Sequence, residues 1–445
     1  MKQTAQRVFY QTLQAIDVSR ALERKLARRG SQIQARESAV NLREFQTIVA
    51  IAFGKASFTM AEALTRILAP EFGVEGILVA PVEPPRPLPG WQPFVGGHPL
   101  PNATSFVAGR AILDRLHRCD ERTLIFFLVS GGGSSLVELP LDPSITLEAF
   151  RKLHKTLVTC GASINEINTI RKHVSATKGG RLAAAAPGSM KVTFAISDVP
   201  PGYESAIASG PTMSDPTTVQ DAERIVSGYD LLAQLPDSLR AAFEHHTLRE
   251  TPKENDPAFV RSQFEVLLGL HELTHAAHRA SEAEGYVSVC DNSTDNWPVE
   301  KAADYLLARL HRLAQAEENA DHGRPVAVVA AGELSCPVTG DGTGGRNSSF
   351  VLACVPKIAG EDITVLSAGT DGIDGNSPAA GAVADGETLA RARAAGLDVS
   401  DFFLRSDAYS FFSRLDDVIL TGPTGNNLRD LRILLARPSR RQVIA

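Results

Sequence analysis

A repeated alternation constrains this chain most: a short apolar run, a polar loop rich in glycine or aspartate, then a helical stretch. The run from Thr47 to Phe53 passes at once into Gly54-Lys55 and a helix from Ala56 to Leu68. The run from Leu124 to Val129 enters Ser130-Gly131-Gly132-Gly133-Ser134-Ser135, and Lys191 to Ile196 ends in Ser197-Asp198. Pro325 to Ala331 leads into the longest such loop, Gly332 to Asn347, and Ile363 to Leu366 into Ser367 to Gly375. Apolar runs of this length, bounded by turn residues, read as buried strands. Strands alternating with helices form βαβ units, and hence a parallel sheet with helices on both faces.

At 445 residues the chain is long enough for two or three domains. A polar stretch without apolar period near His245 to Pro257 reads as a linker, 246–258, between an N-terminal domain over 1–245 and a C-terminal domain over 259–445. Strands from Phe264 to Leu268 and Tyr286 to Cys290 fall in the second domain. Pro81 to Pro101 reads as a proline-rich loop, and Met1 to Arg29 as a polar helical segment with Val18, Leu22 and Leu26 on one face. The formal net charge of −6 offers no basic footprint for nucleic acid. No stretch is long and apolar enough to span a membrane. The five cysteines are scattered and lack C-x-x-C spacing, so neither a disulfide framework nor structural zinc is expected; a reducing cytoplasm fits. Zinc catalysis is not expected from the histidines either.

The polar clusters share one position. Lys55, Ser130–Ser135, Asp198, Glu333 and Asp371 each lie just past the C-terminal end of an expected strand, the edge where open α/β sheets bind ligands. A lysine at a helix start is disfavoured by the dipole unless an anion meets it. Successive glycines let backbone N–H groups converge on phosphate or carboxylate oxygens. Gly344, Gly345 and Asn347 stand before an expected helix from Ser348, and Arg346 supplies a guanidinium; a helix N-terminus favours an anion. Asp198, Glu333, Asp371 and Asp374 are candidate magnesium ligands. Each feature also has a plain alternative: turns for the glycines, N-caps for the aspartates, a solvated helix face for Arg171 and Lys172.

These strings resemble one family across the whole chain. Gly54-Lys55-Ala56, Gly96-Gly97-His98-Pro99, Ser130 to Ser134, Arg171-Lys172-His173, Lys178 to Leu182 and Ile207 to Thr212 are similar to the N-terminal domain of the glycerate 2-kinases. Gly344 to Asn347, Gly369 to Gly375 and Thr421 to Gly425 are similar to their C-terminal MOFRL domain. The resemblance implies an α/β fold of two domains, an N-terminal Rossmann-like parallel sheet and a C-terminal α/β domain with a mixed sheet, with the active site in the cleft between them. It implies ATP- and Mg²⁺-dependent phosphorylation of D-glycerate, or a similar small hydroxy acid, at the 2-hydroxyl. Lys55 and Arg346 match the family's proposed active-site cations. No nucleic-acid or membrane partner is implied, and the chain would be a monomer or homodimer.

Two strings depart from that pattern. Ser348-Ser349 stand where the family has Gln-Glu, and Pro200 to Glu204 where it has an acidic pair. The expected catalytic set is Lys55, Arg346 and Asp198, with Asp198, Glu333 and Asp371 toward the metal. Ser130, Gly131, Gly132, Gly133, Ser134, Ser135, Arg171, Gly344, Gly345 and Asn347 are expected on phosphate or substrate. Two other readings stay open. Gly340, Gly342 and Gly345 fit G-x-G-x-x-G, as in an NAD(P)H-dependent hydroxypyruvate reductase, although Glu333 to Thr339 intervene after the strand. A non-catalytic sugar-acid-binding protein is the other.

Overall fold

The computed structural model describes residues 1–35, 38–199, 202–320 and 323–437. It divides into two compact units, one of Val18–Leu267 and one that joins Met1–Asp17 to Leu268–Ala445.

The Val18–Leu267 unit opens with an antiparallel pair, β1 (Gln32–Ala35) and β2 (Ser38–Asn41). Six further strands form its main sheet: β3 (Thr47–Phe53), β4 (Glu75–Ala80), β5 (Trp91–Val95), β6 (Thr123–Val129), β7 (Met190–Ile196) and β8 (Ser262–Leu268). They lie in the order β5-β4-β3-β6-β7-β8, and every pairing from β5 to β7 is parallel. Counted from β3 this is 3-2-1-4-5-6, the doubly wound order, and its direction reverses between β3 and β6. The central strands are buried along nearly their whole length, as strands covered on both faces must be. That is why they read as unbroken apolar runs. β5 lies inside the expected proline-rich loop; as the sheet's edge strand it tolerates Pro93.

The domain boundaries read from sequence need correction. Residues 246–258 are not a free linker but part of the Val18–Leu267 unit. Buried Thr251 donates to Asp215 Oδ2 (3.0 Å), Asp215 N donates to Pro252 O (3.1 Å), and Lys253 Nζ donates to Thr217 O (2.5 Å). The stretch is polar because it satisfies a buried carboxylate, so the lack of apolar period was misleading. The strand at Phe264 to Leu268 is β8, an edge of this same sheet. The expected N-terminal helix is also two helices, and they belong to different units. Val18–Leu26 packs Val18, Leu22 and Leu26 beside the Ser57–Leu68 helix. Lys2–Ala15 instead buries Val8 and Phe9 in the other unit, where Lys2 pairs with Asp417 at 2.8 Å and Arg7 with Glu284 at 2.7 Å.

The second unit holds β9 (Val287–Cys290), β10 (Val326–Ala331), β11 (Ile363–Gly369), β12 (Gly381–Asp385), β13 (Val418–Ile419) and β14 (Asp430–Ala436) in the order β13-β12-β11-β14-β10-β9. β9 and β10 are parallel, whereas β14 runs antiparallel to both β10 and β11. The sheet is therefore mixed, and the start of β14 shares an edge with the ends of β10 and β11. Helices Val299–Asn319 and Arg346–Cys354 cover one face around Leu306, Leu310, Phe350 and Leu434.

Candidate active site

In the first unit the glycine loop is built at the reversal of strand order. Gly54, at the end of β3, has φ +123°, and a Cβ there would lie 2.1 Å from Ser130 Oγ. With no Cβ, the two strand ends lock together: Ser130 N donates to Phe53 O (3.1 Å), Lys55 N to Gly131 O (2.9 Å) and Ala56 N to Ser130 Oγ (3.0 Å). Gly132 has φ +84°, and a Cβ on it would meet His98 Cδ2 at 3.0 Å and Lys55 Cγ at 3.7 Å. Lys55 and His98 therefore flank the loop. Burial, and then the Lys55 charge, push the His98 pKa down, so the ring is neutral near pH 7. On the loop's other side Ala208, Ser209 and Gly210 are all left-handed, with φ of 49°, 61° and 64°. Such non-glycine residues cost on the order of 1 kcal/mol each and persist where surrounding structure imposes them. Ser209 Oγ bonds Ser134 Oγ (2.9 Å) and Asn168 Oδ1 (3.2 Å).

The loop residues divide by role. Ser130 is buried and its hydroxyl accepts from Ala56, so it fastens the loop and does not face a ligand. Ser135 Oγ likewise donates to Gly132 O (3.3 Å). Among the described residues, no hydrogen bond forms from Gly131 N–H or Gly132 N–H, the groups an anion nest uses. Asp198 follows the end of β7, one strand away, and is half-buried. Arg171 lies elsewhere on the Ile164–Val174 helix, with Nη2 3.3 Å from His154 Nδ1. Burial lowers its pKa although Glu138 opposes the shift. Its neighbour Lys172 is buried on Asp215 at 3.1 Å. Neither forms a solvated face, and both belong to interior ion networks.

The second unit's edge is built from charge. Arg346 opens its helix with Nε 2.5 Å from Asp430 Oδ2 and Nη2 2.9 Å from Glu333 Oε1. Burial opposes its charge, but Asp430 and Glu333 outweigh burial and raise its pKa above the usual arginine value. Asp430 is buried at the start of β14, the strand that sequence reading missed; the cue was the apolar run Ile433 to Ala436. Asp295 also went unnoticed: it accepts from Glu333 N (2.9 Å) and holds Arg429 through two 2.8 Å contacts. A Cβ on Gly369 would lie 3.1 Å from Asp371 Oδ1 and 3.5 Å from Asp430 Oδ1, which places both carboxylates around the end of β11. Arg346, Asn347, Asp371 and Asp374 line an open cavity of ≈ 490 Å³.

At the helix start beside that cavity, the amides of Gly344, Gly345 and Asn347, expected on phosphate or substrate, are bonded within the protein. The buried Asp374 carboxylate accepts from Asn347 N (2.9 Å), Ser348 N (2.8 Å) and Ser348 Oγ (2.6 Å). Burial raises the Asp374 pKa against those hydrogen bonds. Gly344 N donates to Asn376 Oδ1 (2.8 Å), Gly345 N to Ser348 Oγ (3.2 Å), and Asn347 Oδ1 accepts from Ser367 (2.6 Å). The loop's amides thus stabilise the fold itself, and the same cap removes the pyrophosphate seat that G-x-G-x-x-G would need. Ser348 is part of this cap, so one family departure has a structural use. In the other, Glu204 accepts from Gly202 N (2.9 Å), and Pro200 and Pro201 lie outside the described residues.

The carboxylates suit a hard cation. Among the described residues no three potential ligands gather into a metal-holding group. Mg²⁺ needs only one or two carboxylates when substrate phosphates complete its shell, so Asp198, Glu333 and Asp371 remain compatible with it.

Comparison with known proteins gives the class first. The model for a domain of unknown function, DUF4147, matches residues 4–244, and the MOFRL family model matches residues 326–430. A glycerate 2-kinase of Pyrococcus horikoshii is 33% identical over 88% of this chain and 88% of its own length. A protein of Agrobacterium vitis with a provisional hydroxypyruvate reductase name is 34% identical over 87% of this chain and 86% of its own. The crystal structure of a glycerate kinase from Thermotoga maritima matches with TM-score 0.85 and 29% identity, covering 98% of this chain and 99% of that one. This chain belongs to the glycerate 2-kinase family.

Proposed function

We propose that the protein transfers the γ-phosphoryl group of ATP to the 2-hydroxyl of D-glycerate. The observation that carries this reading is the setting of Lys55 and the Gly131–Gly132 amides. They stand where the strand order reverses, in a loop held by its own hydrogen bonds, so the anion cradle is preorganised before any ligand arrives.

The 2-hydroxyl oxygen attacks the γ-phosphorus, the bond to the β,γ-bridging oxygen breaks, and ADP leaves. Asp198 accepts the hydroxyl proton. Lys55 offsets charge on the transferring group; Arg346 is the second cation the reaction uses, and Asp430 and Glu333 keep its fork oriented. Gly131 and Gly132 hold phosphate or carboxylate oxygens, with Gly133 and Ser134 continuing the loop. Asp198, or Glu333 with Asp371, would hold Mg²⁺, which when bound neutralises phosphate charge. Catalysis of this kind is mostly positioning and electrostatics, so no nucleophilic side chain is needed. The reductase reading loses its strongest sequence support with the Asp374 cap. Phosphorus NMR of a reaction with Mg-ATP and D-glycerate tests the proposal. The expected result is 2-phosphoglycerate in equal amount to ADP; no phosphoglycerate, with NADH consumed on hydroxypyruvate, overturns it.

A further inference from the structure

His271-Glu272-Leu273-Thr274-His275 fits H-E-x-x-H, a string that the expectation of no zinc chemistry overlooked. It lies on the Leu270–Ala283 helix of the second unit, which carries none of the residues assigned to the kinase reaction. In a zinc hydrolase the glutamate serves as general base. Here the Glu272 carboxylate accepts from Gly269 N at 2.9 Å and caps its own helix. No third ligand completes a catalytic set among the described residues. The string is therefore not a hydrolase centre, and its two histidines are left to be explained.

Residues four apart share one helix face, with Cβ atoms about 5–6 Å apart. The His271 and His275 rings lie parallel, 6° between planes, with centroids 5.9 Å apart, and both residues are exposed. His278 extends the row, its ring 6.3 Å from that of His275, but its Nε2 faces Glu282 at 3.5 Å. Exposed side chains change rotamer at low cost, so two imidazoles in this register can turn their nitrogens to one ion at about 2.0–2.1 Å. Neutral imidazole suits Cu²⁺, Ni²⁺ and Zn²⁺, with Cu²⁺ bound most tightly of the three, whereas Mg²⁺ prefers oxygen.

We propose that His271 and His275 form a two-histidine chelate for divalent transition-metal ions on this helix, distinct from the Mg²⁺ used in phosphoryl transfer. The helix packs on β9 and β10, so a bound ion raises the stability of that unit. The proposal does not depend on the kinase reading.

Isothermal titration of the full chain with Cu²⁺ and with Ni²⁺, in chelator-free buffer, tests it. The expected result is one ion per chain at this site, with His271→Ala and His275→Ala each weakening that binding by tenfold or more. Glu272→Gln should leave the affinity within about twofold. Both histidines are exposed, so the variants should fold, which their circular dichroism and metal-free melting temperature check. A folded His271→Ala/His275→Ala double variant that binds Cu²⁺ and Ni²⁺ as the parent does overturns the proposal. So does a Glu272→Gln loss as large as the histidine losses.

Discussion

The two candidate edges solve the same electrostatic problem with different materials. At the ends of β3 and β6 the charge handler is backbone: glycine amides in positive-φ turns, one lysine and a neutral histidine. At the ends of β10 and β11 it is side chains: Arg346 and Arg429 locked to Asp430, Glu333 and Asp295. A backbone cradle depends on the absence of Cβ atoms and changes little in charge when a ligand leaves. A side-chain network depends on each ion keeping its partner, because a buried charge left alone is costly. Substitutions should therefore fail differently in the two places.

The largest effect is expected from the two cations. Lys55→Ala and Arg346→Ala should each lower kcat on the order of a hundredfold or more, as loss of a preorganised charge does. Their stabilities should separate. Arg346→Ala leaves buried Asp430 without its main partner, at about 3 kcal/mol, whereas Lys55→Ala should cost about 1 kcal/mol or less. Urea titration of both variants checks this; equal losses would erase the contrast between the edges.

Gly54→Ala attacks the backbone cradle without touching a charge. The new methyl would fall 2.1 Å from Ser130 Oγ at a φ that disfavours alanine, so a loss of about 2–3 kcal/mol and of most turnover is expected. Activity at the parent level would show that the loop can shift freely.

Asp374→Asn keeps the shape at the other edge and removes one acceptor. One side-chain oxygen cannot replace two that together accept three hydrogen bonds, so about 1–2 kcal/mol should be lost, with a smaller change in kcat than for Arg346→Ala. A greater loss of kcat than Arg346→Ala causes would move the helix cap into the chemistry.

The smallest effect concerns pH. The pKa of His98 is lowered from 6.5, so the unfolded chain takes up its proton first. Stability should then fall as pH drops below about 6.5, and His98→Gln should flatten that fall. Thermal melts of both proteins from pH 7.5 to 5.5 measure the difference.

Legibility in the sequence followed burial. β3, β6, β7, β10 and β11 were readable because they are buried along nearly their whole length and are therefore mostly apolar. β5 was hidden by Pro93 within a proline-rich stretch, and β14 by Asp430 and Arg432 at its start, of which Asp430 serves the charged edge. Lys55 and the Ser130 loop were legible because strand, loop and helix are contiguous there. Asp430 and Asp295 were not, since they reach Arg346 and Glu333 only through pairing of strands distant in sequence. The loop around Arg346 misled for a related reason: Gly344 N donates to Asn376 and Asn347 N to Asp374, both far along the chain. The polar stretch at 246–258 misled because Asp215, its buried partner, lies in another part of the sequence.

Phosphoryl transfer to a hydroxy acid is read out by a coupled ADP-release assay on the purified chain with Mg-ATP, with and without D-glycerate. ADP release should depend on both D-glycerate and Mg²⁺ and fall at least a hundredfold in Lys55→Ala. ADP release unchanged by D-glycerate, together with NADH oxidation on hydroxypyruvate, would contradict phosphoryl transfer.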